Sequence, residues 1–514
     1  MKMRKTWFSY LLWLLYMAIT GVLFATCIIT VSVYTWGLNK YFAAAFVCLF
    51  FAGVAGVWLA GAKIIPYLLI KLPRDKHFAN MWECFLAMCI FAGSVLYRID
   101  YILHADITVE RNMFYEMAQV TNERGIPNIT HGASYIYTVL LSAVFSFMGN
   151  KMIAGIVLQL VLQVLAILFL YFAIRLLAGR VTALCVAAII AVSPVFMKDM
   201  CSLTPQGLYL LLYATGLWLT GLYLRKLVKN GYRRKGSYIV FLLLGIYIGI
   251  LSYLDIIGFT LLLFAGTCFV VIREKPCNPV GQNATNKNKN IYIGKQFAVV
   301  LAVSLLMTAG FIELDAMYSG QTFMNILAAW LQQYGNGMSM SYLVPGPDVQ
   351  PAIGIGVCFL ASLNVVGFLM RKRQKTDAWV LLLLALTAIS VTGIGQMDYS
   401  TFATVIWGTF AGLGLRSMGE DANQKEKISS LETVQIEELK PDEDLEEIRI
   451  EEIIDEKINN AEIEKEEKKS IKFIENPLPL PKKHVKKEMN YGVDVPDEQM
   501  NYDVFSEEDD DFDI

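Results

Sequence analysis

The sequence predicts an all-α, polytopic membrane protein with about twelve transmembrane helices, an outer-face juxtamembrane helix and a disordered C-terminal tail. Hydrophobic residues make up 55% of the 514-residue chain, and its mean hydropathy of +0.47 excludes a string of ordinary soluble domains. Apolar runs of membrane-crossing length recur up to residue 416. The two parts of the chain have opposite net charge. Residues 418–514 hold 31 acidic and 13 basic residues, whereas residues 1–417 hold 31 basic and 15 acidic residues.

The spans are assigned as runs of about 17 to 25 predominantly apolar residues. The first run follows a basic N-terminus and continues to Val33 without a small-residue cleavage signal, which favours an uncleaved span over a signal peptide. The runs are 7–34, 41–70, 82–102, 152–176, 180–199, 205–225, 236–252, 254–273, 296–314, 351–370, 377–395 and 399–416.

A further run, 131–149, is apolar enough to cross but is short and contains three serines. Lys and Arg in short loops stay on the cytoplasmic side of a membrane. With the N-terminus inside, all later basic loops face the cytoplasm only if 131–149 does not cross. We therefore expect this run to be a juxtamembrane or re-entrant helix on the outer face. Both termini are then cytoplasmic, and the long outer loops are 98–151 and 315–350.

The first outer loop concentrates acidic residues. Apolar residues recur at helical spacing from Thr108 to Arg124, which predicts an amphipathic interfacial helix capped by Thr108 and ended by Gly125 and Pro127. Five carboxylates fall within 24 residues, more than the sidedness of basic residues explains. They are Asp100, Asp106, Glu110, Glu116 and Glu123.

Asp106 is the carboxylate whose position is most informative. It stands just before the predicted helix, where backbone N–H groups and the helix dipole favour a negative charge. Two histidines, His104 and His131, bracket this element. A carboxylate near His and Arg at a bilayer surface has the chemistry of a general base or a metal ligand. A helix cap explains Asp106 equally well, and an interfacial anchor explains His131.

The cysteines give no sign of a cofactor. All nine stand singly, mostly within apolar runs, and no Cys-x-x-Cys or Cys-His cluster is present. This pattern predicts small buried or lipid-facing residues and neither a disulfide framework nor a metal site.

The order of several short motifs resembles the integral-membrane glycosyltransferases of the GT-C class, in particular glycosyltransferase family 39 and the aminoarabinose transferases. The resemblance begins with Asp106 and Glu110 ahead of an aromatic-containing helix and continues through residues 125–149. It extends over residues 80–416, which leaves residues 1–79 as an N-terminal addition of two spans and residues 417–514 as the acidic cytoplasmic tail. The further motifs are 171–179, 191–194 and 244–249.

The resemblance implies a fold, a reaction and a set of site residues. Such enzymes transfer a sugar from a polyprenyl phosphate to an acceptor on the outer face, with inversion at the anomeric carbon. It implies Asp106 as the catalytic base, with Glu110 as the competing candidate, and no cofactor beyond a possible divalent cation. The implied substrate-binding residues are Asp100, Tyr115, His131 and Tyr135, and the outer-face cations for the phosphate are Arg98, Lys151 and Lys198.

The chain departs from the family pattern at three positions. Gly132 stands where a proline commonly follows the position of His131. The lysine that members often carry after the glycine-rich span is replaced by the segment 252–255, and an Arg-Tyr pair near the last span by Asp398-Tyr399. These replacements remove two cations that would contact the donor phosphate. Arg98 and Lys198 are then the expected phosphate contacts.

The second outer loop and the tail each have two interpretations. Residues 315–350 contain a short apolar helix and a glycine-rich stretch, which fit a lid over the site or a connector anchored at the interface by Trp330 and Tyr334. The tail lacks a hydrophobic core, and its Pro-Leu-Pro run and lysines at 477–487 fit a partner or headgroup contact or a solvated linker.

Two other functions compete with the glycosyltransferase. A transporter or flippase of lipid-linked substrates requires ionisable residues at mid-bilayer, and apart from Asp255 the spans offer few charges at that depth. A catalytically inactive scaffold would act through its tail and would tolerate the missing cations. The site residues separate these hypotheses, because only the glycosyltransferase needs Asp106 or Glu110.

Overall fold

The computed structural model describes residues 7–34, 37–71, 76–104, 113–125, 133–230, 237–274, 286–331, 351–370, 373–392, 397 and 401–417. Every regular element in these ranges is a helix, as the sequence predicts. The helices are α1 (Trp7–Tyr34), α2 (Lys40–Lys71), α3 (Lys76–His104), α4 (Met113–Arg124), α5 (Ala133–Met148), α6 (Met152–Ala178), α7 (Arg180–Ala191), α8 (Pro194–Ser202), α9 (Gln206–Asn230), α10 (Ser237–Leu254), α11 (Phe259–Glu274), α12 (Asn286–Ser319), α13 (Phe323–Leu331), α14 (Pro351–Met370), α15 (Arg373–Thr392) and α16 (401–417).

Within the described residues, five helices are long and apolar enough to cross a bilayer. Shorter apolar helices, including α5, α7, α10 and α11, accompany them. The predicted all-α membrane fold is confirmed, and the count of twelve spans stays a prediction. The five segments are Lys40–Ile64, Asn80–His104, Met152–Ala178, Gln206–Arg225 and Gly294–Ser319.

Both helices predicted for the first outer loop are present. α4 ends at Arg124, where Gly125 adopts a φ of +86° and its N–H contacts the carbonyl of Thr121 at 3.0 Å. Thr108, the predicted cap, lies outside the described residues. α5 has 16 residues, and at about 1.5 Å per residue it is shorter than a hydrocarbon core of roughly 30 Å. α11 has the same length and falls on a predicted span, so the non-crossing placement of α5 stays a prediction.

The structure differs from the predicted single span at 180–199. α7 ends at Ala191, Ser193 leaves the helical region (φ −62°, ψ 122°), and Pro194 begins the separate helix α8. Proline has no N–H to continue the hydrogen-bond ladder, and its fixed φ suits the first turn of a new helix. The chain therefore breaks here, and α8 packs beside α3, α6 and α9.

α6 is a central helix, with α3, α5, α7, α8 and α9 as neighbours. At one end of the bundle, the buried carboxylate of Glu83 on α3 joins it to α6 and α7. Arg175 contacts both carboxylate oxygens, at 2.6 Å from Nε and 3.0 Å from Nη2, and the Tyr171 hydroxyl donates to Oε1. Arg180 of α7 adds a contact of 3.5 Å. These partners fix the axial position of α3.

The two helices of the predicted N-terminal addition pack against the C-terminal helices. α1 contacts α14 and α15, and α2 contacts α14. The ring of Tyr16 stacks on Phe368 with centroids 4.1 Å apart and also contacts Phe410 at 4.8 Å. The N-terminal pair thus closes the bundle on the side of α14 and α16.

Glycines allow two pairs of helices to approach closely. A Cβ atom on Gly367 of α14 would overlap the carbonyl oxygen of Phe410 in α16, and one on Gly414 would overlap that of Leu363. In the same way, a Cβ atom on Gly249 of α10 would lie 2.8 Å from the carbonyl of Ser304 in α12. Membrane helices associate through such small residues because lipid supplies no hydrophobic driving force between them.

We predict that Gly367→Ala lowers the thermal unfolding midpoint of the purified protein, because its methyl group would meet backbone that can move only with the helix. Overpacking of this kind costs about 1–3 kcal/mol. The matched control is Gly356→Ala on the same helix, where a Cβ atom meets nothing within 4 Å. Equal midpoints for the two variants would show that α14 and α16 do not touch at Gly367.

Candidate functional site

At the end of the bundle opposite Glu83, α4 and α5 pack as a pair over the start of α6. The ring of Phe114 meets Tyr137 edge-on at 5.9 Å, and Tyr115 meets Phe145 in the same way at 5.3 Å. Ala118 between them is fully buried. The face that packs on α5 carries Phe114, Tyr115 and Ala118, whereas the apolar Met113 and Val120 are exposed, so the predicted apolar face is only partly the buried face.

Tyr115, a predicted substrate-binding residue, also ties α4 to the turn between α5 and α6. Its hydroxyl donates to the carbonyl of Asn150 at 3.0 Å, and Asn122 donates to the Asn150 side chain at 2.9 Å. Gly149 provides the turn with a φ of +82°. The contacts of Tyr115 in this structure are structural, and its role toward substrate stays a prediction.

Arg98 lies roughly two helical turns before the end of α3. Its side chain is fully buried. Its Nε donates to Gln163 of α6 at 3.0 Å, and Nη1 donates to the Ser94 hydroxyl at 2.5 Å and to the carbonyl of Ala191 at 2.9 Å. Its Nη2 is buried and has no hydrogen-bond partner among the residues that the structure describes. The guanidinium thus joins α3 to α6 and α7 and leaves the two N–H groups of Nη2 unused.

Among the described residues, no carboxylate forms an ion pair with Arg98. A buried charge without a counter-ion costs several kcal/mol, about 3–5 kcal/mol in measured proteins. The carbonyl and amide oxygens around Arg98 offset part of this cost through charge-assisted hydrogen bonds. The remaining deficit makes this position favourable for an anion.

Two glutamines on one face of α6 extend the polar contacts. Gln163 donates to the carbonyl of Phe196 in α8 at 2.7 Å, and Gln159, one turn earlier, donates to the Tyr137 hydroxyl at 2.8 Å. Gln159 also donates to the carbonyl of Thr204. Burial raises the pKa of Tyr137, so this phenol stays neutral. Gln163 thus connects Arg98 with α8, and Gln159 separately connects α6 with α5, through hydrogen bonds that contain no carboxylate.

The remaining predicted site residues are distributed around this end. Asp100 is exposed and contacts His104 one turn later, with Oδ1 and Nδ1 3.3 Å apart. Lys151 is exposed at the start of α6, and Tyr135 is half-buried at the start of α5. Lys198 belongs to α8, but its side chain is not described. The residues that lie outside the described ranges are Asp106, Glu110 and His131.

Asp255, the candidate for a charge at mid-bilayer, has a local structural role. Its side chain is fully buried after α10, and its Oδ1 accepts from the N–H of Ile257 at 2.9 Å. Its Oδ2 accepts from the N–H of Met397 at 3.2 Å, just before α16. The carboxylate therefore caps the turn into α11 and holds the segment that leads to α16.

Tyr253 and Asp315, which sequence reasoning did not single out, form a further polar contact at this end of the bundle. The Tyr253 hydroxyl at the end of α10 donates to Oδ2 of Asp315 near the end of α12. Trp330 of α13 donates to the carbonyl of Tyr253 at 2.9 Å and is 8% exposed. Trp330 thus docks on protein and does not anchor the loop in the bilayer interface as one interpretation predicted.

No group of three or more His, Cys, Asp or Glu with metal-binding geometry occurs in the part of the chain that the structure describes. Asp106, Glu110 and His131 fall outside that part.

Part of the chain matches a known protein family. Residues 134–309, from α5 to α12, match the profile of the family described as dolichyl-phosphate-mannose-protein mannosyltransferase. The match confirms the resemblance to GT-C enzymes and, with the apolar helices, supports a membrane glycosyltransferase of this type. It begins after the loop that carries Asp106 and Glu110, so their roles stay predictions.

Solved structures with a similar chain trace are those of the Archaeoglobus fulgidus oligosaccharyltransferase. One, in complex with an inhibitory peptide and a dolichol-phosphate, has 15% identity and a TM-score of 0.45, covering 69% of this chain and 52% of that chain. The apo form has 14% identity and a TM-score of 0.45, covering 70% and 53%. This chain spans about half the length of those proteins. Among curated proteins, none matches it.

We predict that Asp255→Ala destabilises the protein by about 1–3 kcal/mol, because two buried N–H groups lose their acceptor. Asp255→Asn keeps one acceptor oxygen and therefore loses less. Thermal unfolding of the purified variants measures the difference. If both variants melt like the native protein, Asp255 does not hold this junction, and a transport role for it regains support.

Proposed function

We propose that this protein transfers a sugar from a polyprenyl-phosphate donor to an acceptor at the extracytoplasmic face of the cell membrane. The profile match to a family named for its dolichyl-phosphate mannose donor supports the donor class. The single observation that carries the proposal is Arg98, a fully buried guanidinium with an unpartnered N–H and no carboxylate partner in the described residues. A phosphate is the anion that such a donor binds best.

The position of Arg98 fits a role at the donor phosphate. Its helix ends at His104, and the segment with Asp106 and Glu110 follows directly. Lys151 at the N-terminus of α6 and Lys198 on α8 are the other proposed cations, and the dipole of α6 adds positive potential at its N-terminus. A phosphate held by these groups leaves without needing a proton, because its charge is already stabilised.

The proposed chemistry needs one base. Asp106, or Glu110 in its place, takes the proton of the acceptor hydroxyl while the oxygen attacks the anomeric carbon. The bond from that carbon to the phosphate oxygen breaks, the electron pair leaves with the polyprenyl phosphate, and the configuration inverts. Asp100, Tyr115, His131 and Tyr135 are the proposed contacts to the substrates.

The proposed localisation is a multi-pass protein of the cell membrane with both termini cytoplasmic. Its partners are the bilayer, the lipid-linked donor, an acceptor of undetermined class and, through the acidic tail, a cytoplasmic protein. The transporter alternative loses its strongest residue, because Asp255 is engaged with two backbone N–H groups.

We predict that Asp106→Asn reduces sugar transfer in proteoliposomes supplied with polyprenyl-phosphate mannose by about 100-fold or more, the usual contribution of a general base. Glu110→Gln produces this loss instead if Glu110 is the base. The matched control, Glu123→Gln on the exposed face of α4, retains transfer. Full transfer by the Asp106→Asn, Glu110→Gln double variant contradicts the proposed mechanism.

A second prediction concerns the unpaired charge of Arg98. Polyprenyl phosphate raises the unfolding midpoint of the native protein, because an anion beside Arg98 compensates its buried charge. Arg98→Gln lowers the affinity for polyprenyl phosphate by about 10- to 100-fold, the range for one charge-assisted hydrogen bond. Neutral polyprenol serves as the ligand control and Arg124→Gln, on exposed α4 surface, as the variant control. If Arg98→Gln is stabilised by the phosphate as much as the native protein, Arg98 does not contact it.

A further inference from the structure

Gln163 holds the guanidinium of Arg98 through an amide that has one possible orientation. Its Oε1 accepts from Nε of Arg98 at 3.0 Å, and its Nε2 donates to the carbonyl of Phe196 in α8 at 2.7 Å. The side chain of Gln163 is fully buried. Reversing the amide would place N–H against N–H on one side and oxygen against oxygen on the other. The backbone of α8 therefore determines that the amide oxygen faces the arginine.

The break between α7 and α8 supplies a second fixed contact. Ser193 leaves the helical region and Pro194 starts a new helix, so α7 ends with carbonyl groups that have no partner within the helix. One of these, the carbonyl of Ala191, accepts from Nη1 of Arg98 at 2.9 Å. The Ser94 hydroxyl, one turn earlier on α3, accepts from the same nitrogen at 2.5 Å. The C-terminal end of a helix carries partial negative charge, which attracts a cation without neutralising it.

These contacts fix the direction of the remaining nitrogen of Arg98. A guanidinium is planar, so holding Nε and Nη1 also sets where Nη2 points. Nη2 has no hydrogen-bond partner among the residues that the structure describes. The acceptors at the other two nitrogens are amide, carbonyl and hydroxyl oxygens, all of them neutral. The arginine is thus oriented without being paired with a negative charge.

We propose that Gln163 is a positioning residue for the donor phosphate. It holds Arg98 with Nη2 directed at the phosphate, and because its amide is neutral it leaves the charge of Arg98 available to that phosphate. This inference rests on the proposed glycosyl transfer and on Arg98 as its phosphate contact. Two substitutions separate orientation from charge. Gln163→Leu removes the acceptor, whereas Gln163→Glu keeps an oxygen at Nε and adds a resident anion that competes with the phosphate.

The experiment measures binding of polyprenyl phosphate to the full chain in nanodiscs, with neutral polyprenol as the ligand control. Gln163→Leu lowers the affinity for polyprenyl phosphate by about 10-fold, the lower end of the range for a charge-assisted hydrogen bond, because the guanidinium is no longer oriented. Gln163→Glu lowers the affinity by about 10-fold or more. The double variant Arg98→Gln, Gln163→Leu binds no more weakly than Arg98→Gln alone, because Gln163 acts through Arg98.

Gln159→Leu is the matched control. Gln159 lies one turn earlier on the same helix and is also fully buried, but its amide donates to the Tyr137 hydroxyl and to the carbonyl of Thr204. Both leucine variants remove a buried amide and lower the thermal unfolding midpoint. Only Gln163→Leu lowers the affinity for polyprenyl phosphate.

Several results overturn the inference. Native affinity in Gln163→Leu or in Gln163→Glu shows that the amide does not position Arg98 or that its neutrality is irrelevant. A fold-loss in the double variant equal to the product of the two single losses shows that Gln163 acts independently of Arg98, and an equal loss in Gln159→Leu shows a general loosening of α6. If Gln163→Leu does not fold, Gln163→Glu still decides the matter.

Failure of the proposed function gives a different result. The native protein then binds polyprenyl phosphate no better than neutral polyprenol, before any variant is compared.

Discussion

The register of α3 against α6 is the constraint on which the outer end of the bundle depends. Apolar contacts between membrane helices do not select one register, because lipid competes for the same surfaces. Two polar contacts do select it: Glu83 with Arg175 near one end, and Arg98 with Gln163 near the other. A slip of one residue rotates the helix by about 100° and separates both pairs in a medium without water. The segment after His104 therefore starts from a fixed position.

Sequence patterns predicted those parts of the fold that depend on local periodicity. Hydropathy identified the helical membrane class, and helical spacing together with Gly125 and Pro127 located α4, whose end at Arg124 the structure confirms. The same reasoning missed the break between α7 and α8, because an average over apolar residues gave more weight to the run than to Pro194. Proline at the first helical turn was the signal that marked it.

The site was less predictable, because its contacts join residues distant in sequence. Arg98 was identified as an outer cation, but its burial depends on Gln163, 65 positions away, and on the carbonyl of Ala191. Nothing local distinguishes Tyr253 or Asp315 from other interfacial residues, since their pairing exists only after α10 and α12 associate through Gly249. Trp330 looked like an interface anchor for the same reason, and only the fold reveals its partner.

The distribution of carboxylates explains how a cation can be kept ready for a substrate. If a resident carboxylate neutralised Arg98, a phosphate would have to displace it, and the net gain on binding would be small. In this structure Glu83 binds arginines at the far end, Asp255 binds two backbone N–H groups, and Asp315 binds a phenol. Each of these acids has a donor of its own at a different place in the bundle. The positive potential at Arg98 is thereby preserved for a ligand, and the acids serve other functions without cancelling it.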